Sequence, residues 1–235
     1  MEEDFWSHLD DLRKRILFSL IFFFVGSSLI YPFSEHIIRY FVSYVGRTYF
    51  FAPQEALFIR IKLSLMGGFV VSLPFIVHQM YLFIVPALTS SERRYASPLL
   101  IALIIFFYGG VAVAFYIFLP YILKMLLSFQ MDVLSPLISI SRFLGFMLWI
   151  LGGFGFAFEM PVFFFLLTKL GVLSPSLLYR KWRISVVAIL LFASIITPTL
   201  DMVTMLIASV PLFFLYFISI GSSYLAMIGR KKQAV

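Results

Sequence analysis

Long stretches without charged residues are the feature that most limits what this chain can fold into. Six intervals are long enough to cross a lipid bilayer, if the single acid Glu159 is allowed inside one: 16–34, 63–91, 95–123, 143–168, 184–200 and 202–229. A helix needs about 20 mostly apolar residues to cross the hydrocarbon core. Runs such as LLIALIIFF are apolar on every face, so they lack the alternation expected of a membrane β-barrel. The sequence therefore predicts an all-α membrane protein with six transmembrane helices.

Composition supports a membrane protein and limits its partners. Apolar residues make up 62% of the 235 and charged residues 12%, against about 45–50% and about 25% in soluble domains. The net charge is +7, but the basic residues stand in small clusters between apolar runs. This pattern favours anionic lipid headgroups over nucleic acid as partners. The absence of cysteine excludes disulfides and thiolate metal sites, and no metal, cofactor or catalytic site is predicted.

The basic residues also predict an orientation. We expect a single transmembrane domain over 1–235, with spans at about 16–34, 63–83, 95–119, 143–168, 184–197 and 202–220. Six spans place both termini on one side, and that side carries 12 of the 18 basic residues. The positive-inside rule therefore places both termini in the cytoplasm.

The connections depart from those of a plain helical bundle. Loops 35–60 and 124–142 are long enough to form a cap over the outer face, and Pro53 suits the first turn of the helix leading into span two. The fifth span has about 14 residues, or roughly 21 Å of helix, against a hydrocarbon core of about 30 Å. Because only TPTLD (197–201) joins it to the sixth span, we expect two short final helices.

Two motifs place acids at the same cytoplasmic level. The stretch SHLDDLRKR (7–15) predicts a helix that starts at Ser7, with ion pairs Asp10–Lys14 and Asp11–Arg15 four residues apart. Glu92 opens span three beside Arg93 and Arg94, where an ordinary interface anchor would look the same. Together these acids can bind a cationic partner, and arginine suits them because its planar fork binds carboxylates in pairs.

Glu159 is isolated in the phenylalanine-rich stretch GFAFEMPVFFF (155–165). A charged side chain at membrane depth costs about 2.5–3.5 kcal/mol on insertion scales, so it indicates a site facing a cavity or a partner. The alternative is a structural hydrogen bond to Gln79, Ser72 or Tyr108. Pro161 frees a backbone carbonyl one turn earlier, which adds to the local polarity.

Six motifs, in order along nearly the whole chain, resemble those of the TatC family, the multi-spanning subunit of the twin-arginine protein translocase. The motifs are HLDDLRKR (8–15), PQEALFIRIKLSL (53–65), LPFIVHQMYLFIVPALTSSERR (73–94), FGFAFEMPV (154–162), LSPSLLYRKWR (173–183) and TPTLDMVTMLIASVPLFFLY (197–216). The resemblance implies a receptor that binds twin-arginine signal peptides of folded substrates. It also implies recruitment of single-span TatA- and TatB-type subunits, self-association, and export driven by the proton-motive force.

The resemblance also implies roles for individual residues. The signal arginines would contact Asp11 and Glu92, within a surface that also includes Leu9, Arg13, Phe83, Arg93 and Arg94. Glu159 and Gln79 would form an intramembrane polar site for partner helices on a concave face, and Pro53 and Glu55 would belong to the outer cap. The family usually has glutamate where this chain has Asp11, and Asp10 or a helix shift can offset the missing methylene.

Two other classes of protein compete with this interpretation. A proton-coupled small-molecule transporter would also use an intramembrane acid such as Glu159, but it should show internal repeats, and none is convincing here. An intramembrane protease needs a Ser–His pair, an aspartate pair or a metal motif. His78 lies in a span without a nucleophile motif nearby. The residues alone favour a transporter, whereas the resemblance favours a receptor that is not an enzyme.

Overall fold

The structure is a computed structural model that describes residues 2–46, 48–128, 137–197 and 202–231. Within these residues, five helical segments are long and apolar enough to cross a membrane: His8–Val42, Glu55–Ile84, Arg93–Ser128, Ile140–Lys169 and Met202–Ile228. A shorter apolar helix spans Trp182–Ile196. The predicted all-α membrane fold is thus confirmed, whereas a sixth span and the side on which the termini lie stay predictions.

Two compact units divide the chain. The first comprises the described residues of Met1–Ile104 and Asp132–Leu148, and the second those of Ile105–Met131 and Trp149–Val235. Helices α4 and α6 each contribute to both units.

The first unit is built around the long helices α1 and α3. Its elements are α1 (Glu2–Ile30), a 3-10 turn (Tyr31–Phe33), α2 (Ser34–Val42), β1 (Thr48–Tyr49), α3 (Glu55–Ile84), a second 3-10 turn (Val85–Ala87), the start of α4 (Ser90–Val113), β2 (Ile138–Ser139) and the start of α6 (Ile140–Phe158). The predicted helix start at Ser7 is wrong because α1 already begins at Glu2. Acidic residues suit the first turn of a helix, and MEED supplies them.

Helices α1 and α3 approach closely at small residues. A Cβ atom on Gly68 of α3 would overlap the backbone of Ser27 in α1, so only glycine fits at this crossing. Further along, the rings of Phe22 and Phe75 stack with their centroids 4.6 Å apart. In lipid, such close van der Waals packing is the main force between helices.

The two segments predicted to form a cap contact each other. Thr48 and Tyr49 of β1 pair in parallel with Ile138 and Ser139 of β2. Glu35 of α2 binds Arg39 at 2.6 Å and Arg60 of α3 at 3.1 Å. The short ladder therefore joins the two segments, and the ion pairs link α2 to the start of α3 within the first of them.

The second unit consists of shorter helices around α10. It contains the end of α4, a π-helical turn (Ala114–Phe118), α5 (Leu119–Ser128), the end of α6, α7 (Met160–Lys169), α8 (Pro175–Arg180), α9 (Trp182–Ile196) and α10 (Met202–Lys231). The π turn ends two residues before Pro120, which has no backbone N–H to donate to the preceding turn. The helix continues past this proline instead of ending at the predicted boundary, residue 119.

Only one of the two final helices is short. Helix α9 has 15 residues, or about 22 Å of helix, and its terminal carbonyls find side-chain donors. The Trp149 indole donates to the Ile195 carbonyl at 2.7 Å, and the Thr197 hydroxyl donates to the Ala193 carbonyl at 2.8 Å. Helix α10 has 30 residues and runs well past the predicted end at residue 220. Its extension continues because the small and polar residues after Ile220 pack against α7 instead of ending the helix.

Candidate functional site

The predicted signal-peptide residues on α1 and α3 lie at one end of the first unit. The His8 imidazole stacks on the Phe83 ring, with centroids 4.6 Å apart and planes 26° apart. This contact fixes the N-terminal turns of α1 against the C-terminal end of α3. Leu9 is 40% exposed and Arg13 is exposed, so both can contact a ligand at this end.

Asp11 lies about one turn along α1 from His8. Its Oδ2 accepts a hydrogen bond from Arg15 Nε at 2.8 Å, which confirms the predicted i,i+4 pair. The predicted Asp10–Lys14 pair is wrong, since no ion pair joins these two described side chains. Oδ1 of Asp11 has no hydrogen-bond partner among the described residues, so Arg15 orients the carboxylate and leaves one oxygen for a ligand.

Helix α4 joins α3 near the same end. The Tyr81 and Ser97 hydroxyls share a hydrogen bond of 2.8 Å. Arg93 and Arg94, in the first turns of α4, are exposed. Glu92 also lies in the first turn, and its side chain is outside the part of the chain that the structure describes.

An open groove runs between α1 and α3 next to Asp11. Its volume is about 340 Å³, and its lining residues are Asp11, Lys14, Arg15, Phe18, Phe22 and Gln79. Charged residues line one part of this groove and aromatic residues another. Gln79, predicted to share a polar site with Glu159, lines this groove in the first unit.

Glu159, in the second unit, lies in a one-residue break between α6 and α7. Pro161 lacks the N–H that would donate a hydrogen bond to the Ala157 carbonyl, and the helix is interrupted just before this proline. The Glu159 side chain is only 6% exposed, yet its Oε2 has no hydrogen-bond partner among the described residues. The carboxylate lies beside the backbone of Phe107 in α4. A buried oxygen without a partner costs about 1–3 kcal/mol, so a functional reason is needed to retain it.

Two other polar contacts near α7 are made within the second unit. The Ser222 hydroxyl donates to the Pro161 carbonyl at 2.8 Å, and the Thr168 and Ser223 hydroxyls lie 2.6 Å apart. These bonds join α10 to α7. Glu159 differs from them because its Oε2 finds no such bond.

The predicted cap residues lie at the start of α3. Pro53 stands in the turn before α3 and not, as predicted, in its first turn, since the helix begins at Glu55 after the cap residue Gln54. The Glu55 carboxylate accepts a hydrogen bond from the Phe51 backbone N–H at 3.4 Å. Glu55 therefore holds the entering chain against the first turn of the helix.

Sequence reasoning missed His8 and the serines of α10. Their signals are present, since His8 begins the charged motif HLDDLRKR and the serines are polar residues in an apolar helix. Their contacts depend on the register between two helices, which one sequence does not show. Within the described ranges, no group of three His, Cys, Asp or Glu side chains is arranged to hold a metal ion.

Comparisons with known proteins agree on one family. Residues 7–211 match the family model described as Sec-independent protein translocase protein (TatC). The chain is 36% identical to the Sec-independent protein translocase protein TatC of Aquifex aeolicus over 97% of both chains. It is 33% identical to the protein of that name from Helicobacter pylori, over 94% of this chain and 88% of that one.

Structural similarity leads to the same family. A crystal structure of the twin-arginine translocase receptor TatC superposes with a TM-score of 0.80 at 35% identity, covering 94% of this chain and 99% of that chain. The matched relatives carry the name of a transport component. These comparisons do not favour the small-molecule transporter.

Proposed function

Because the chain belongs to the TatC family, we propose that it is the receptor that binds twin-arginine signal peptides of folded proteins at the cytoplasmic face of the membrane. Family membership makes it a multi-pass membrane component of Sec-independent protein translocation. The observation that carries the proposal is the stack of His8 on Phe83. It supports a common surface for the N-terminal motif and the end of α3, two motifs in which the resemblance places signal-peptide contacts.

In this proposal the signal arginines bind carboxylates. Oδ1 of Asp11 accepts a hydrogen bond from one guanidinium, while Arg15 donates to Oδ2. Glu92 provides the second carboxylate. Hydrogen bonds between charged groups are roughly twice as strong as neutral ones, and the guanidinium fork makes them specific for arginine over lysine.

The other predicted residues border these acids. Leu9 and Phe83 contact apolar residues of the peptide. Hydrogen bonds to the peptide's backbone carbonyls come from the exposed side chains of Arg13, Arg93 and Arg94. Pro53 and Glu55 fix the cap segment at the start of α3.

We further propose that Glu159 recruits the single-span TatA- and TatB-type subunits. Its buried Oε2 without a partner supports this role, because a polar group on a partner helix would satisfy it. Recruitment would accompany self-association of the receptor and transport driven by the proton-motive force. The chain would act as one transmembrane domain in the bacterial inner membrane, with both termini in the cytoplasm.

Replacing Asp11 by asparagine tests the proposed peptide site. Asp11→Asn removes one charge-assisted hydrogen bond, so we expect the affinity for a twin-arginine signal peptide to fall by about tenfold. Asp10→Asn is the matched control, since it removes the same charge from the adjacent position, and we expect less than about a twofold change. Fluorescence anisotropy of a labelled peptide with the purified chain in detergent measures both.

The comparison of these two variants decides the assignment. A larger loss in Asp10→Asn would move the contact to Asp10. Equal losses would show that the peptide senses only the total charge of the motif. Unchanged binding in both variants would contradict a peptide site at the N-terminal motif.

A further inference from the structure

The groove between α1 and α3 has charged and apolar parts that suit an amphiphile. We propose that it binds an anionic phospholipid, whose phosphate contacts Lys14 and Arg15 and whose acyl chain lies along Phe18 and Phe22. Nothing in this proposal requires the chain to bind signal peptides. It depends on the side chains that line one groove of the first unit.

The charged part of the groove is cationic. Its three charged residues are Asp11, Lys14 and Arg15. The Asp11 carboxylate is already paired with Arg15 Nε, so Lys14 adds a net positive charge. The terminal nitrogens of Arg15 and the ammonium of Lys14 have no hydrogen-bond partner among the described residues. The Arg15 side chain is only 22% exposed, so packing holds its guanidinium in place. These donors suit the non-ester oxygens of a phosphate.

The apolar part continues along the same face of α1. Phe18 and Phe22 follow Lys14 at intervals of four residues, so they lie about 6 Å and 12 Å further along the helix on the same side. Phe22 stacks on Phe75 of α3, which holds this wall in position. A free phosphate would use only the charged part, whereas a phospholipid uses both.

Gln79 and the size of the groove agree with this occupant. The Gln79 amide has no hydrogen-bond partner among the described residues, and it can donate to an ester carbonyl of the lipid. The volume of about 340 Å³ is at the low end of the range of small-molecule pockets, about 300–1,000 Å³. It suits a headgroup and the upper part of a chain, with the remainder in the bilayer. Basic pockets between transmembrane helices bind anionic headgroups in this way.

Binding of fluorescent phosphatidylglycerol to the purified full chain in detergent tests the proposal, with phosphatidylcholine of the same chain length beside it. We expect phosphatidylglycerol to bind more tightly. Lys14→Gln should lower the affinity for phosphatidylglycerol by about fivefold, because one cation near an anionic lipid contributes about that factor. The affinity for phosphatidylcholine should stay unchanged. Arg180→Gln removes the same charge from an exposed position of α8 that does not line the groove, and it should change the affinity for neither lipid.

Three results would overturn the proposal: equal binding of the two lipids, equal effects of Lys14→Gln and Arg180→Gln, or displacement of phosphatidylglycerol by millimolar inorganic phosphate. The last would assign the site to a free anion. Phe22→Ala should lower the affinity for both lipids. An unchanged affinity would contradict the proposed contact between the acyl chain and Phe22.

A signal-peptide measurement on Lys14→Gln separates this proposal from the receptor function. Preserved discrimination between Arg-Arg and Lys-Lys peptides, with weakened lipid binding, supports the lipid site as independent. If the wild-type chain does not discriminate between the two peptides while Lys14→Gln still lowers the affinity for phosphatidylglycerol, the receptor proposal fails and the lipid site stands.

Discussion

Replacing Glu159 by alanine is expected to reduce co-purification of the single-span partner subunits by at least about tenfold, with signal-peptide affinity within about twofold of wild type. A hydrogen bond to a charged group contributes about 1.5–3 kcal/mol, which corresponds to a factor of ten or more. The effect should be selective because Glu159 belongs to the second unit, whereas Asp11 and Phe83 belong to the first.

The same variant should leave the isolated chain equally or more resistant to unfolding. Oε2 of Glu159 is buried without a hydrogen bond among the described residues, so removing the carboxylate removes a desolvation cost. Thermal unfolding in detergent measures this directly. Gain of stability with loss of recruitment is typical of a site kept for binding.

Ser209→Ala is the matched control for Glu159→Ala. Ser209 is also buried in the second unit, but among the described residues its hydroxyl donates a hydrogen bond only to the Leu206 carbonyl of its own helix. We expect this variant to recruit partners normally. Equal loss of partner recruitment and peptide binding in Glu159→Ala would contradict separate sites for the two ligands.

Replacing Gly110 by alanine is expected to lower the free energy of unfolding by about 1–3 kcal/mol, the usual cost of overpacking. A Cβ atom on Gly110 of α4 would lie 2.6 Å from the Phe154 carbonyl oxygen and 2.7 Å from Phe158 Cβ of α6. The backbone of α6 would have to move away, because neither atom is at the end of a flexible side chain. Thermal unfolding of the purified variant in detergent measures the loss.

Gly109→Ala provides a control at the adjacent position. Among the described residues, no atom outside the helix's own neighbouring backbone lies within 4 Å of a Cβ built on Gly109, so the added methyl group meets open space. Alanine also favours helix by up to about 1 kcal/mol over glycine. We therefore expect unchanged or slightly raised stability. If Gly110→Ala matched Gly109→Ala, the close approach of α4 and α6 in the second unit would be wrong.

The sequence predicted helix positions well and helix ends poorly. Charged residues bound the apolar runs, so the predicted spans lie within the observed helices over most of their length. Helices do not end where the charge begins, however, and α3 includes Arg60 and Lys62 while α10 continues to Lys231. The break at Glu159 follows from Pro161, as the missing N–H requires.

The candidate site was predictable where it depends on neighbours in sequence. The Asp11–Arg15 pair follows from helix periodicity alone. The stack of His8 on Phe83 and the place of Gln79 in the groove depend on how α3 is rotated and shifted against α1. No periodicity within one helix determines that register. The missing partner of Glu159 Oε2 likewise emerges only from the packing of the second unit.

The most direct test of the receptor function is the affinity of the purified chain for a twin-arginine signal peptide relative to its Lys-Lys version. Both peptides have the same charge, so a difference reports recognition of the guanidinium fork. We expect the twin-arginine peptide to bind at least about tenfold more tightly, with the preference lost in Glu92→Ala. Equal affinities for the two peptides would contradict the account, because charge attraction alone would then explain binding.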